Sequence, residues 1–421
     1  MKKISFLRLL AITFLGFALT LSSNVQDPGL MTHKVRQLAP DLPNTTLGLL
    51  GSAGLIVAML VQPIVGVFSD RARTRLGRRM PFIIGGAVMI AICLFLLALA
   101  PSLWVLILGV LLIQFSSNVL QGPWQALIPD LVPEAQRGKA SGLKAFLDIL
   151  ASVVGGLIAG LLLGRVPQWG EKAVLLTVSV PVVVFAIGIV ITAIWAREKP
   201  DQVVEAPSRT VSEAIKNTFS VDFRSHPAFG WWFANRILFW GAFIALSAFL
   251  INYFIDVVGM EQAEAQSFRG LLNLFLGGAL VLFALISGWL ADRIGRKPIV
   301  LSAGLVAFVG ATLLLFARDK TSIIIAGAVI GMGIGAFLTA SWAMVTDIVP
   351  REEAARYLGI ANIATCIGSG GARLLGGVLI DPINKTLGSS SSGYLLLYSL
   401  AALFFLSSAL VIIPLPKTQK V

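Results

Sequence analysis

Apolar residues run along this chain in long stretches punctuated by glycine, proline and charge, and they do not alternate with polar ones. The stretches fall near 4–27, 45–68, 81–100, 103–128, 141–163 and 173–195, then near 229–255, 268–290, 298–317, 321–346, 357–380 and 394–414. Each is close to the roughly 20 residues that carry an α-helix across a bilayer. In lipid, every backbone N–H and C=O must be satisfied within the segment, which a helix achieves and a lone strand does not. The pattern predicts an all-α integral membrane protein with twelve transmembrane helices. The first stretch, behind Lys2 and Lys3, is also built like a signal peptide. Its length, and the lack of a clean small-residue cleavage pattern, favour an uncleaved first span.

One long polar segment, 196–228, separates two halves of six spans, 1–195 and 229–421. Thr210 and Glu213 have capping-box spacing, and Val211, Ile215 and Phe219 share one helical face. A short amphipathic helix on the cytoplasmic surface is expected there.

Composition strengthens this reading and narrows the function. Of 421 residues, 57% are hydrophobic and only 13% charged, with mean hydropathy +0.87. A soluble enzyme, a disordered chain and a nucleic-acid binder are excluded, although the net charge of +12 would suit the last. Topology explains the charge. With a cytoplasmic N-terminus, 21 of the 33 Lys and Arg residues fall in inside segments and 7 in outside ones, the bias expected of inward-facing loops. Both termini are therefore placed in the cytoplasm, with a bacterial inner membrane as the expected location. Cys93 and Cys366 lie inside apolar runs, and the only histidines are His33 and His226. No catalytic set, metal site or cofactor is expected. The sequence holds no HExxH, GxSxG or Walker string. Gly331, Gly333 and Gly335 lie within the tenth span, where close helix packing is their ordinary role. Without an ATP-binding segment, any work must draw on an ion or solute gradient.

The halves echo each other. GVFSDRARTRLGRR from Gly66 returns as GWLADRIGRK from Gly288, and DLVPEAQRGKASG from Asp130 as DIVPREEAARYLG from Asp347. Such repeats mark transporters in which one half rocks against the other. These residues resemble the major facilitator superfamily, whose loop after the second span reads Gly-x-x-x-Asp-Arg/Lys-x-Gly-Arg/Lys-Arg. Gly66, Asp70 and Arg71 match it, and an insertion precedes Gly77, Arg78 and Arg79. MLVQPIVGVFSDRARTRLGRRMPFI (59–83) and NVLQGPWQALIPDL (118–131) are similar to segments of sucrose–proton symporters, within the glycoside-pentoside-hexuronide:cation symporter group. The resemblance implies the major facilitator fold, two pseudo-symmetric six-helix halves, and a sugar-type transporter. Two positions depart from it. The aspartate those symporters carry before Gln-Gly-Pro is Gln114 here, and the histidine of their first outer loop is Asn44. Neither their proton site nor their substrate therefore carries over.

Asp70 and Asp292 follow helix ends beside Arg71 and Arg293. A carboxylate there can accept from a neighbouring helix N-terminus and pair with arginine. Gly66, Asp70, Arg71, Arg78 and Arg79, with Gly288, Asp292 and Arg293, are thus expected to form a cytoplasmic latch. Arg73 and Arg75 read better as topology anchors at the lipid phosphates.

Inside the fourth span, Gln114, Asn118, Gln121 and Gln125 recur along one helical stripe. Their amides can exchange hydrogen bonds with sugar hydroxyls or with other helices. The family's habit of building its site from the first, fourth, seventh and tenth spans adds Asn235, Arg236 and Trp240. Asp148 is the one acid well inside a span. It is either an ion-coupling group or half of a structural bridge to Lys144. The leading function is secondary transport of a small polar solute, a sugar or glycoside, with H⁺ or Na⁺ as the coupling ion, by a monomer in the lipid bilayer. Two alternatives stand beside it: efflux or exchange of another organic solute, and a non-transporting scaffold or sensor. The many polar groups inside the spans favour transport.

Overall fold

A computed structural model describes residues 4–74, 76–195, 226–349 and 354–415. Twelve of its helices are long and apolar enough to cross a membrane. They are α1 (Phe6–Asn24), α2 (Pro43–Arg71), α3 (Met80–Ala98), α4 (Leu103–Leu131), α5 (Glu134–Leu163) and α6 (Glu171–Trp195). Then follow α7 (Pro227–Ala248), α8 (Gln262–Ile294), α9 (Arg296–Phe316), α10 (Lys320–Ile348), α11 (Ala354–Leu387) and α12 (Ser392–Val411). The surface helix expected near 210–219, and Arg75, lie outside the described residues.

Two elements differ instructively from the expected spans. The first span is not one helix over 4–27: α1 ends at Asn24, and a short helix, Met31–Leu38, follows an irregular turn. Pro28 lacks an N–H, and its ring drives the preceding residue out of the helical region. Asp27 accordingly sits at φ −129, ψ 122. The fifth helix begins at Glu134, seven residues before the expected 141, because EAQRGKA is polar yet rich in helix formers. Hydropathy marks where lipid ends; the backbone continues while propensity allows.

The chain forms two compact units, 1–40 with 53–217, and 41–52 with 218–421, so their boundary falls inside α2. In the first unit α1 packs on α5 and α6, and α3 on α4 and α6; in the second, α7 packs on α11 and α12, and α9 on α10 and α12. Each pairing recurs six helices later, so the repeat seen in the loops extends to the packing. Outward-facing positions are apolar, as lipid requires: Trp104, Leu285 and Phe316 are each more than 70% exposed. In the second unit, glycines bring α10 close to its neighbours. A Cβ on Gly331 would stand 2.4 Å from Leu276 O on α8, and one on Gly333 2.8 Å from Ala303 O on α9. The glycine run is helix packing and not a dinucleotide loop.

Candidate functional site

In the first unit, polar chemistry gathers where α1, α4 and α5 meet. Asp148 is the fifteenth of thirty residues in α5, halfway along it. Its carboxylate pairs with Lys144 Nζ at 2.8 Å and accepts from Thr20 Oγ1 at 3.4 Å. The Asp148 and Lys144 side chains are 29% and 27% exposed. Lys144 Nζ also lies 5.4 Å from the Trp124 ring centroid. Trp124 is fixed in turn by its indole N–H, which donates to Ile12 O at 2.8 Å. Gly16 makes this corner possible, since a Cβ there would meet the Trp124 ring at 2.3 Å.

The stripe on α4 divides in two. Asn118 is buried and donates to the Gln114 carbonyl of its own helix at 2.8 Å. Gln114, Gln121 and Gln125 are half-buried, and their side chains make no hydrogen bond among the described residues. The Gln114 stem rests on α2, where a Cβ at Gly54 would stand 2.8 Å from its Cγ.

In the second unit, Arg236 is the tenth of the 22 residues of α7 and is 3% exposed. Its Nε donates to Thr365 Oγ1 on α11 at 2.9 Å. Its guanidinium lies 4.4 Å from the Trp342 ring centroid on α10 and 5.5 Å from Trp232. Trp232 is held by donation to Ser341 O at 3.0 Å. Among the described residues, Arg236 has no acid partner, and its Nη1 and the Trp240 Nε1 are buried without a hydrogen bond. Asn235 donates to Ser408 O on α12 at 2.7 Å, while its Oδ1 is likewise buried without a hydrogen bond among the described residues.

The charged loops form ion clusters inside each unit. Arg79 pairs with Asp70 at 2.7 Å and with Asp130 at 2.8 Å, and Arg78 reaches Asp130 at 3.2 Å. Burial alone would lower the pKa of the Arg79 guanidinium, but its hydrogen bonds and charge contacts with Asp130 and Asp70 outweigh this and raise it. Gly66 has open space at its Cβ position, and Arg71 closes α2. In the second copy Gly288 lies against Thr339. Asp292 is exposed and makes no ion pair among the described residues, so the acid expected to latch there does not. Arg296 pairs instead with Asp347, the repeat partner of Asp130, and Arg293 lies 3.9 Å over the Trp289 ring. Loop length accounts for the difference. The first copy spans 72–79 between helices, room for Arg79 to fold back on Asp70, whereas Gly295 alone joins α8 to α9.

Asn44 turns out to be a hub that sequence reasoning noted only as a replaced histidine. It is buried, donates to Asp381 Oδ1 at 2.7 Å, and accepts from Asn252 Nδ2 at 2.8 Å. Tyr394 bonds both Asn44 and Asp256. Thr45 adds its backbone N–H to Asp381 and its hydroxyl to Gly377 O, each at 2.7 Å, fastening the start of α2 to α11 within the second unit.

The family described as MFS/sugar transport protein matches residues 41–356, three-quarters of the sequence. The chain belongs to that family. It is 28% identical over 238 residues to the sucrose transport protein SUT3 of Oryza sativa subsp. japonica, covering 47% of this chain and 44% of that protein. It is 35% identical over 86 residues to the minor myo-inositol transporter IolF of Bacillus subtilis (strain 168), covering 20% of each. These alignments thus span less than half the length of either relative. Among solved structures, the nucleoside transporter NupG superposes with TM-score 0.69 at 13% identity, covering 98% of this chain and 99% of that one. A bacterial homologue of the human lysosomal transporter Spinster, inward-facing and unoccupied, gives 0.67 at 16% identity, covering 98% and 95%. Those two likenesses establish the major facilitator fold. The chain is a multi-pass membrane protein of a transporter family, not an enzyme.

Proposed function

We propose that the protein is a proton-coupled secondary transporter of a sugar or glycoside, working by alternating access as a monomer in a bacterial inner membrane with both termini cytoplasmic. The observation that carries this reading is the set of half-buried glutamines, Gln114, Gln121 and Gln125, lying along one span with no side-chain hydrogen bond among the described residues. Three unpaired amides facing hydrocarbon would be costly. Facing an aqueous path they offer both donors and acceptors, which suits a polyhydroxylated solute.

Arg236 and Trp240 supply a second set of donors on α7. Asp148 is the coupling group: protonation neutralises it and loosens its hold on Lys144, and deprotonation restores the pair. The Arg78, Arg79, Asp70 and Asp130 cluster steadies the cytoplasmic end. The sucrose and inositol transporters to which the chain is similar support a sugar as cargo.

Uptake into proteoliposomes, screened over mono- and disaccharides with pH and Na⁺ gradients imposed separately, tests the proposal. Accumulation of at least one sugar under an inward proton gradient is expected. Failure to move any sugar would overturn the transport reading, and accumulation driven only by Na⁺ would replace the ion.

A further inference from the structure

α2 is one continuous helix that changes company along its length: residues 41–52 group with the second unit and those from 53 onward with the first. Its part in the second unit meets α11 along a seam of polar groups and glycines. Asn44 Nδ2 and the Thr45 backbone N–H donate to the two oxygens of Asp381, each at 2.7 Å. One turn along α11, Gly377 O accepts from the Thr45 hydroxyl at 2.7 Å, and a Cβ on Gly48 would stand 2.4 Å from Arg373 O. At the far end Ser52 Oγ donates to Gly370 O at 2.9 Å. Beyond the seam the same helix rests on the first unit, where Gly54 abuts the Gln114 side chain of α4.

Asp381 does more there than pair with a side chain. Thr45 lies in the first turn of α2, where N–H groups have no acceptor within the helix, and the positive end of the helix dipole favours a carboxylate. Asp381 thus caps α2 from another helix. Asn44, 1% exposed, is oriented for its share by Asn252, which donates to Asn44 Oδ1 at 2.8 Å. A continuous helix fastened to two units must release one of them, or bend, when the units move. The rungs of this seam suit release. Hydroxyls, an amide and a carboxylate can turn to water when parted, and the glycines bring the backbones close without interlocking side chains. We infer that Asp381 is a positioning residue for transport: it locks the start of α2 to α11, and its release frees that end of α2 when the transporter opens to the outside. This rests on the alternating access and topology proposed above, which put the seam at the outer end of both helices.

A cysteine reporter tests this on the full-length protein in intact cells. Ser52→Cys, within the seam, would be exposed to a membrane-impermeant maleimide from outside. Ser390→Cys, at an exposed position beyond α11, serves as topology control, and the parent protein with Cys93 and Cys366 sets the background. Asp381→Asn keeps the size but turns one acceptor into a donor facing a donor. It should speed labelling of Ser52→Cys roughly 10- to 100-fold, the range of a lost charge-assisted hydrogen bond. Asn44→Ala should speed it less, and this second variant covers the case in which Asp381→Asn fails to fold. Asp381→Glu, which keeps the carboxylate, should restore slow labelling. In proteoliposomes Asp381→Asn should lower turnover several-fold without raising KM for external solute, a split that general destabilisation does not produce. Equal labelling of Ser52→Cys in all these backgrounds, with Ser390→Cys labelled, would overturn the lock while leaving transport standing. Ser390→Cys labelled only after permeabilisation would overturn the topology, and the inference with it. The labelling needs no solute, so a protein that carried no sugar would still reveal the lock or its absence.

Discussion

Asp148 in the first unit and Arg236 in the second both lie deep in a span, and the two are treated oppositely. Asp148 is given a cation one turn away on its own helix and a hydroxyl from α1, and it stays partly open. Arg236 is sealed among two tryptophans and a threonine, with no ion pair among the described residues. The repeated architecture makes the difference informative. Helix pairings recur from one unit to the other, yet the aligned positions hold Asp148 and Thr365. The packing repeats, but at one aligned position the first unit holds a carboxylate and the second a neutral hydroxyl, which binds Arg236. Under the proposed function those are different jobs: Asp148 couples to the ion, and Arg236 contacts the cargo.

The largest effect expected from breaking this contrast is at Asp148. Asp148→Asn should reduce gradient-driven accumulation to background while sparing downhill exchange of labelled solute across the same vesicles. Full accumulation by that variant would reassign the Lys144–Asp148 pair to a structural role. Next comes the charge on the other side. Arg236→Gln should raise the transport KM about 10- to 100-fold, the range of a charge-assisted hydrogen bond.

A smaller effect is expected on α4. Gln114→Ala should raise KM several-fold with normal expression, whereas Asn118→Ala, whose amide bonds its own helix, should change KM less. Equal shifts in both would mean that the stripe acts through packing alone. The smallest contrast lies in the loops. Asp130→Asn should lower the thermal midpoint, at a cost of about 1–3 kcal/mol for weakening charged hydrogen bonds to Arg78 and Arg79. Asp292→Asn, at an exposed acid without an ion pair, should leave the midpoint unchanged.

What could be read from the residues follows from what a bilayer enforces. Span number and the polar residues inside spans are written in hydropathy, because lipid penalises every exception. The Lys144–Asp148 pair was legible because it is local, four residues apart on one helix. The neighbours of Arg236 were not: Thr365 lies 129 residues away, and Trp342 becomes relevant only once α10 has docked. Asp130 stood in a quoted repeat, but its pairing with Arg79 depends on how a loop of particular length folds back. The Asn44 hub was hidden for the same reason, since its partners Asn252, Asp381 and Tyr394 come from distant segments that meet only in the second unit. Residue 44 carried one sequence signal, the histidine that related symporters have there.

Coupling between cargo and proton meets its most direct test in the pH of a lightly buffered suspension of proteoliposomes. The sugar that the uptake panel identifies is added outside, with no gradient imposed and the membrane potential clamped. The medium should turn transiently alkaline as protons enter with solute, and the signal should vanish with a protonophore and in Asp148→Asn. Entry of labelled sugar with no change in external pH would contradict proton-coupled transport.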